Sequence, residues 1–533
     1  MKEVTQMEKN QLTLREKICQ MMVVKADPEK HIREHGSIEN FLAKYPVGAI
    51  FVGNEIIRND VFTAEKIAET VKIYQSASKI PLLVAGDAEC GVGNVVRGLT
   101  TLPQPMALGS ADDEDLAYRY GKDTALESRA VGINWNYGPV CDLMLNPLAA
   151  LVSTRSVSDD PELASRILRS LLKGMQDHGM VATGKHFPGD GVDYRDQHYV
   201  GSYNTLPMAE WWKKSGATFQ AVIDEGIDSI MLGHIALPDY QTETVEGIYP
   251  PATLSKELID LLKKTMGFSG IVVTDALDMG GFVRWFDDRK VSEVKSIAAG
   301  ADMLLWPFLE TIDRVEEAVK AGEIPLARID DAVERIFRVK EKYARFGFET
   351  GIEEEYLTFG KKVAVELAEK SCVQVRNRLQ LLPLQKDAVK KVRIVEVDGG
   401  DATKEAKHPL TAVFVEEFAK RGAQVRATGS WDNYLLNYDT EIDRDYDILV
   451  YVTYAGNGMP FDHTRKMVNA HSSQAFDREK TINITVGTPH YLSAYYPTAD
   501  TALHCYLHPE CIKAVVAGIY GEKPFTGRLP VKL

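Results

Sequence analysis

The feature that most constrains this chain is a rhythm. Over the first two thirds of the sequence, short apolar, β-rich runs alternate with stretches that carry apolar residues at helical spacing. The runs are MMVV (21–24), AIFVG (49–53), LLVAGD (82–87), INWNYG (133–138), VATGKHF (181–187), SIMLGHI (229–235), IVVTDAL (271–277) and DMLLWP (302–307). Between them lie segments such as PELASRILRSLLKGMQDHG, whose apolar positions recur every three or four residues. Eight strands with intervening helices predict an α/β chain whose residues 1–345 form a (β/α)8 TIM-type barrel, although a doubly wound open sheet leaves a similar pattern.

After RIDDAVERIFRVKEKYARFGFET the text changes to an acidic stretch, GIEEEY, and then a helix, GKKVAVELAEKSC, and 346–375 reads as a connector. A second α/β rhythm then begins. VRIVEV (392–397), AQVRATG (423–429), DILVYVT (447–453) and INITVG (482–487) alternate with helices such as HPLTAVFVEEFAKRG, so 376–533 read as a separate domain built on an open parallel sheet. Neither a phosphate-binding loop nor a strand-anchored G-x-G-x-x-G is present, which leaves nucleotide binding without support.

Composition narrows the partners. A formal charge of −14, from 62 Lys+Arg against 76 Asp+Glu, repels phosphate backbones, so no nucleic-acid partner is expected. Six cysteines without C-x-x-C spacing fit reduced thiols in a large intracellular protein and offer no zinc site. The N-terminus, MKEVTQMEKNQLTLREK, is polar where a secretory signal needs an apolar core, and no apolar run approaches ~18 residues. The expectation is a cytoplasmic protein with no membrane partner.

In a barrel the chemistry sits at the carboxyl ends of the strands, so polar residues that close apolar runs are the candidates. They are Asp87, Lys185 with His186, His234 and Asp275. Singly, such an Asp is often a helix N-cap and such a His a satisfied core group. Charges at four strand ends of one domain point instead to a shared site. The most informative stretch is K-H-F-P-G-D-G-V-D-Y-R-D-Q-H (185–198), a loop by its glycines and proline. In extended backbone, Asp196 and His198 share a side, so the carboxylate can hold one imidazole N–H and raise the basicity of the other nitrogen. Asp190, Asp193 and Arg195 are either further ligands or tethers of the loop.

These residues carry a resemblance. K-H-F-P-G-D-G-x-x-x-x-D-x-H with V-V-T-D-A-L-D-M resembles glycoside hydrolase family 3, and more narrowly its bacterial β-N-acetylglucosaminidase branch. The likeness runs from LTLREKICQMMVV through ALESRAVGINWNYGPVCDL, STRSVSDDPE, MLGHIALPD and RIDDAVERIFRVK to LLPL (381–384) and GRLPV (527–531). It implies a (β/α)8 barrel followed by an α/β sandwich domain. It also implies roles: Asp275 as nucleophile, His198 as acid/base oriented by Asp196, and Asp87, Arg97, Arg155, Lys185 and His186 as sugar ligands, with no metal or organic cofactor.

Two departures stand out. The spacing between Asp87 and Arg97 is longer than usual, and Asp190 occupies the place of a histidine in the branch's K-H-F-P-G-H-G. The resemblance implies a retaining exo-acting hydrolase of β-linked N-acetylglucosamine, acting on a small carbohydrate such as a cell-wall fragment. A phosphorylase using phosphate in place of water is a close alternative, because a neutral histidine does not repel an anionic acceptor. The others are a family 3 β-glucosidase or β-xylosidase and a sugar-binding pseudoenzyme. His463 and Arg465, in FDHTRK, are polar candidates from the second domain.

Overall fold

The computed structural model describes residues 11–53, 63–149, 151–344, 346–347, 350–397, 408–429, 445–455 and 477–533. The chain divides into two compact units, one of Met1–Thr101, Ala117–Ala149 and Ala164–Gly360, the other of Leu102–Leu116, Ala150–Leu163 and Lys361–Leu533. Two segments from within the barrel's stretch of sequence therefore belong to the second unit.

In the first unit all eight apolar runs are strands: Met22–Lys25, Ala49–Phe51, Leu83–Gly86, Trp135–Asn136, Val181–Phe187, Ser229–Leu232, Ile271–Thr274 and Leu304–Leu305. They pair in chain order, every pair parallel, and the last returns to the first through Met22↔Leu304 and Val23↔Leu305. A bridge between Val273 and Met303 joins the seventh strand to the eighth. This ring excludes the doubly wound alternative, which would leave two sheet edges. The strands are buried along almost their whole length, the condition under which a parallel sheet reads as continuous apolar runs.

The outer helices follow their apolar spacing. Ala64–Ala77 is capped by Thr63, whose side chain accepts from Lys66 N–H, and it buries Ile67, Val71 and Tyr74. Leu326–Ala344 buries Ile329, Val333, Ile336 and Phe337 on one stripe. Among the described residues no helix is long and apolar enough to cross a membrane.

The second unit holds a six-stranded sheet. The four expected strands appear as Lys391–Val397, Gln424–Thr428, Ile448–Ala455 and Thr481–Gly487, all parallel. Two more were not expected. Thr501–Cys505 adds in parallel to Thr481–Gly487, and Val373–Asn377 adds antiparallel to Thr501–Cys505. The sheet is therefore mixed: the helix Glu354–Ser371 ends and the chain turns at once into an edge strand of opposite direction. Helices Pro409–Lys420 and Pro509–Ile519 pack on this unit, each with proline in its first turn. The outlying segments are tied in by Ser110 Oγ to Tyr506 Oη at 2.5 Å and by Ser158 Oγ to Pro530 O at 2.5 Å. His463 and Arg465 lie outside the described residues.

Candidate active site

The carboxyl ends of the barrel strands gather Asp87, Lys185, His186 and Asp275. Consecutive residues of a regular strand point to opposite faces. The pairing of Val181–Phe187 with Ser229–Leu232 loses register between Gly184 and Phe187, and at this break both Lys185 and His186 turn to polar partners. Lys185 Nζ lies 2.8 Å from Asp87 Oδ1 and 2.6 Å from Glu89 Oε1, with its side chain only 4% exposed. One ammonium thus holds two carboxylates, and Asp87 stays partly open to solvent. His186 donates from Nδ1 to Asp142 Oδ2 at 2.6 Å, and the same buried carboxylate accepts the Asp190 N–H at 2.7 Å. An Nδ1–H anchored in this way makes Nε2 the ring's outward nitrogen.

Asp275 follows directly on the strand Ile271–Thr274, and its N–H donates to Leu232 O at 2.9 Å. Burial pushes its carboxyl up, but the His186 and His234 imidazoles, the Ala276 N–H and the Lys185 ammonium outweigh burial and hold it below the usual carboxylate range. It is an ionised carboxylate in a nearly closed setting. His234, fully buried, bonds Ala276 O through Nε2 at 2.9 Å and Thr253 Oγ1 through Nδ1 at 3.0 Å. Burial outweighs the neighbouring Asp275 carboxylate and lowers its basicity, and the Ala276 carbonyl accepts its Nε2–H.

The loop after the fifth strand carries the second group. His198 Nδ1 donates to Asp196 Oδ1 at 2.7 Å, and the His198 N–H reaches the same oxygen at 2.8 Å. The imidazole is half exposed, with Nδ1 committed to Asp196. Gln197, between them, points inward and is fully buried, with Oε1 accepting from His234 N–H at 2.8 Å and Nε2 donating to Asp190 Oδ2 at 3.3 Å. Asp190, in the place of a histidine, is therefore buried within the loop and braces it. Asp193 and Arg195 form an ion pair at 2.6 Å that also fastens Tyr203 N–H, so they tether the loop.

The loop is pinned to the segment that follows Asp275. Gly280 N–H donates to His198 O at 2.7 Å and Gly281 N–H to Gln197 O at 3.1 Å. A Cβ on Gly280 would stand 2.2 Å from Tyr199 O, so only glycine admits this approach. The sequence D-A-L-D-M-G-G thus supplies a carboxylate and, five residues on, the platform that seats the imidazole loop. Beside it opens a pocket of about 390 Å³, lined among others by Arg195, Tyr199, Tyr203, Ile248, Arg284 and Trp285.

Arg97 is exposed on the loop after the third strand, where its backbone bridges to Thr63. Arg155 ends the turn Ser153–Arg155 in the second unit, with Nη1 3.3 Å from Leu151 O. Sequence reasoning singled out neither Glu89, Asp142 nor Gln197. Each acquires its place through a partner distant in sequence, and only Glu89, two residues beyond a strand-ending Asp, carried a local hint.

Residues 13–339 match the glycosyl hydrolase family 3 N-terminal domain. The chain belongs to this family. Its fold and family are those of a family 3 glycoside hydrolase. It is 28% identical over 514 residues to a β-N-acetylglucosaminidase/β-glucosidase of Cellulomonas fimi, covering 91% of this chain and 89% of that protein. Among solved structures, a β-glucoside phosphorylase, BglX, bound to 2FGlc superposes with a TM-score of 0.83 at 26% identity, over 99% of this chain and 95% of the other. A family 3 β-N-acetylglucosaminidase from Paenibacillus sp. FPU-7 gives 0.81 at 25% identity, over 98% and 99%. The relatives thus divide between N-acetylglucosaminidases, glucosidases and a phosphorylase.

Proposed function

We propose that this protein is a retaining, exo-acting glycosidase that releases terminal β-linked N-acetylglucosamine through a glycosyl-Asp275 intermediate, with His198 as acid/base. The observation that carries this reading is the Asp196–His198 pair, seated through Gly280 and Gly281 on the segment that begins at Asp275. Asp275, ionised and buried, attacks the anomeric carbon while His198 Nε2–H protonates the departing oxygen. The neutral imidazole then takes a proton from the incoming acceptor, which displaces Asp275 and restores the β configuration. Asp196 holds the imidazole and stabilises its cationic form.

Asp87, with its carboxylate partly open and its charge balanced by Lys185, accepts hydrogen bonds from sugar hydroxyls, and His186 Nε2 offers a further contact. Arg97 and Arg155 are assigned sugar contacts by the family resemblance alone. The pocket beside Tyr199 and Trp285 provides room and aromatic faces for the leaving group. The expected location is the cytoplasm, with a small carbohydrate as the partner and no cofactor.

One observation favours a second reading, phosphorolysis: the likeness to a β-glucoside phosphorylase spans nearly the whole of both chains. A neutral imidazole base leaves an anionic acceptor unrepelled, as a second carboxylate would not. Initial rates on para-nitrophenyl β-N-acetylglucosaminide and β-glucoside, with and without phosphate, separate these readings. Preference for the N-acetyl sugar without phosphate dependence supports the hydrolase. Release of a sugar 1-phosphate replaces water with phosphate as the acceptor, and preference for the glucoside replaces the sugar.

A further inference from the structure

A second cluster lies outside this site, on the buried face of the helix Glu114–Ala130. Asp123 and Glu127 stand one turn apart and are 1% and 0% exposed. Like charges at this spacing repel, and burial makes the cost larger. Among the described residues no group hydrogen-bonds to either oxygen of Asp123 or to Thr100 Oγ1, although both residues are buried. Glu127 Oε2 accepts the Thr100 N–H at 2.6 Å, which brings Thr100 to the carboxylates. The helix Glu354–Ser371 presents Gly360 to the same place: a Cβ there would lie 2.5 Å from Asp123 Oδ1 and 2.7 Å from Thr100 Oγ1. The Asp123 and Glu127 carboxylates and the Thr100 hydroxyl thus meet beneath a residue that has no side chain.

Burial, helped by the charge of Glu127, pushes the Asp123 carboxyl up to about 8. A proton on Asp123 would remove one charge, yet it would satisfy one oxygen and leave the other and the Thr100 hydroxyl unmatched. A hard cation answers all of them, because it takes six to eight oxygen ligands at once. The two carboxylates balance a divalent ion. Flexible coordination at 2.3–2.6 Å suits hydroxyl and carboxylate oxygens better than the strict octahedron and retained waters of magnesium. We propose that Asp123, Glu127 and Thr100 form a structural calcium site. It differs from a cluster of three or more His, Cys, Asp or Glu side chains, none of which occurs among the described residues.

Such an ion acts on the sugar site at one remove. Thr100 closes the loop that begins at Asp87: Gly93 N–H donates to Thr100 O at 2.8 Å, and Asn94 Nδ2 donates to Asp87 O at 3.3 Å. Tyr120, one turn before Asp123 on the same helix, donates to Glu89 O at 3.1 Å. Calcium would fasten helix and loop together and hold Asp87 and Glu89 in register with Lys185. Its residues are positioning residues and do not touch substrate.

The test uses the full chain after dialysis against a calcium chelator. Isothermal titration with CaCl2 should show one equivalent bound, and saturating calcium should raise Tm by about 3 °C or more. KM should fall on calcium addition more than kcat rises. Asp123→Asn should abolish binding and the Tm rise. Thr100→Val, which keeps both carboxylates and the side-chain shape, should weaken calcium binding about tenfold. No calcium bound by the wild type, with Tm unchanged by chelation, overturns the proposal. So does a calcium response that survives unchanged in Thr100→Val, since the ion then sits elsewhere. An Asp123→Asn variant more stable than a calcium-indifferent wild type overturns it in favour of a neutral buried carboxyl.

Discussion

Gly280→Ala isolates the seating of the imidazole loop. The residue does not adopt a positive φ, so alanine is conformationally acceptable and the perturbation is steric. The new methyl would meet backbone: Tyr199 O at 2.2 Å, C at 2.6 Å and Cα at 2.8 Å. Restoring ordinary contact requires the segment 197–200 to retreat by about 1 Å. The Gly280 N–H to His198 O bond then stretches from 2.7 Å beyond useful length, at a net cost of about 1 kcal/mol. His198 moves with it. A displacement of ~1 Å in a catalytic group costs about 10²-fold in rate, or ~2.7 kcal/mol of barrier. The assay is kcat on an aryl and on an alkyl β-N-acetylglucosaminide, with Tm measured beside it. The loss should be larger for the alkyl leaving group, which needs protonation, and Tm should fall by no more than a few degrees. Unchanged kcat on the alkyl substrate, or equal losses on both substrates, would show that Gly280 does not seat His198 for proton transfer.

Further expectations follow from the same geometry. Asp275→Ala should lower kcat by about 10⁴-fold or more without unfolding the protein, checked by kinetics beside circular dichroism. Lys185→Met strands Asp87 and Glu89 against each other and should destabilise by about 3 kcal/mol in urea unfolding, with KM raised. An effect below ~0.5 kcal/mol would show that solvent already screens the pair. Asp142→Asn removes the charged partner of His186 and should cost about 10- to 10²-fold in kcat/KM, read with the unsubstituted sugar substrate. On an activated aryl glycoside, deglycosylation limits kcat and His198 must be neutral to act as base. The acid limb should then fall near pH ~6–7, with Asp275, held below the ordinary carboxylate range, still ionised there. A kcat profile flat from pH 4 to 7 would contradict that assignment.

The barrel was legible because each of its strands is buried on both faces and so reads as an uninterrupted apolar run. Val373–Asn377 and Thr501–Cys505 were not. In VQVRN polar residues alternate with valines directly after a long helix, as befits an edge strand, and TALHC carries a histidine, His504, that only its bond to Thr485 reconciles with burial. The site was readable where polarity interrupts an apolar run, as at Asp87, Lys185, His186 and Asp275, and where two groups lie close in sequence, as at Asp196 and His198. Asp142 and Gln197 were not readable, since their meaning lies in His186 and His234 across the barrel mouth. The substitution at Asp190 reads differently once its partners are visible: it braces the loop from within.

The proposed mechanism requires a covalent bond between sugar and Asp275. Incubation with a fluorinated glycosyl fluoride, which forms the glycosyl-enzyme quickly and releases it slowly, followed by intact mass and peptide mapping, tests it directly. One added sugar per chain is expected, located on Asp275 in IVVTDALDM and absent from Asp275→Ala. An adduct on another residue, or rapid turnover with no adduct under any trapping condition, would contradict it.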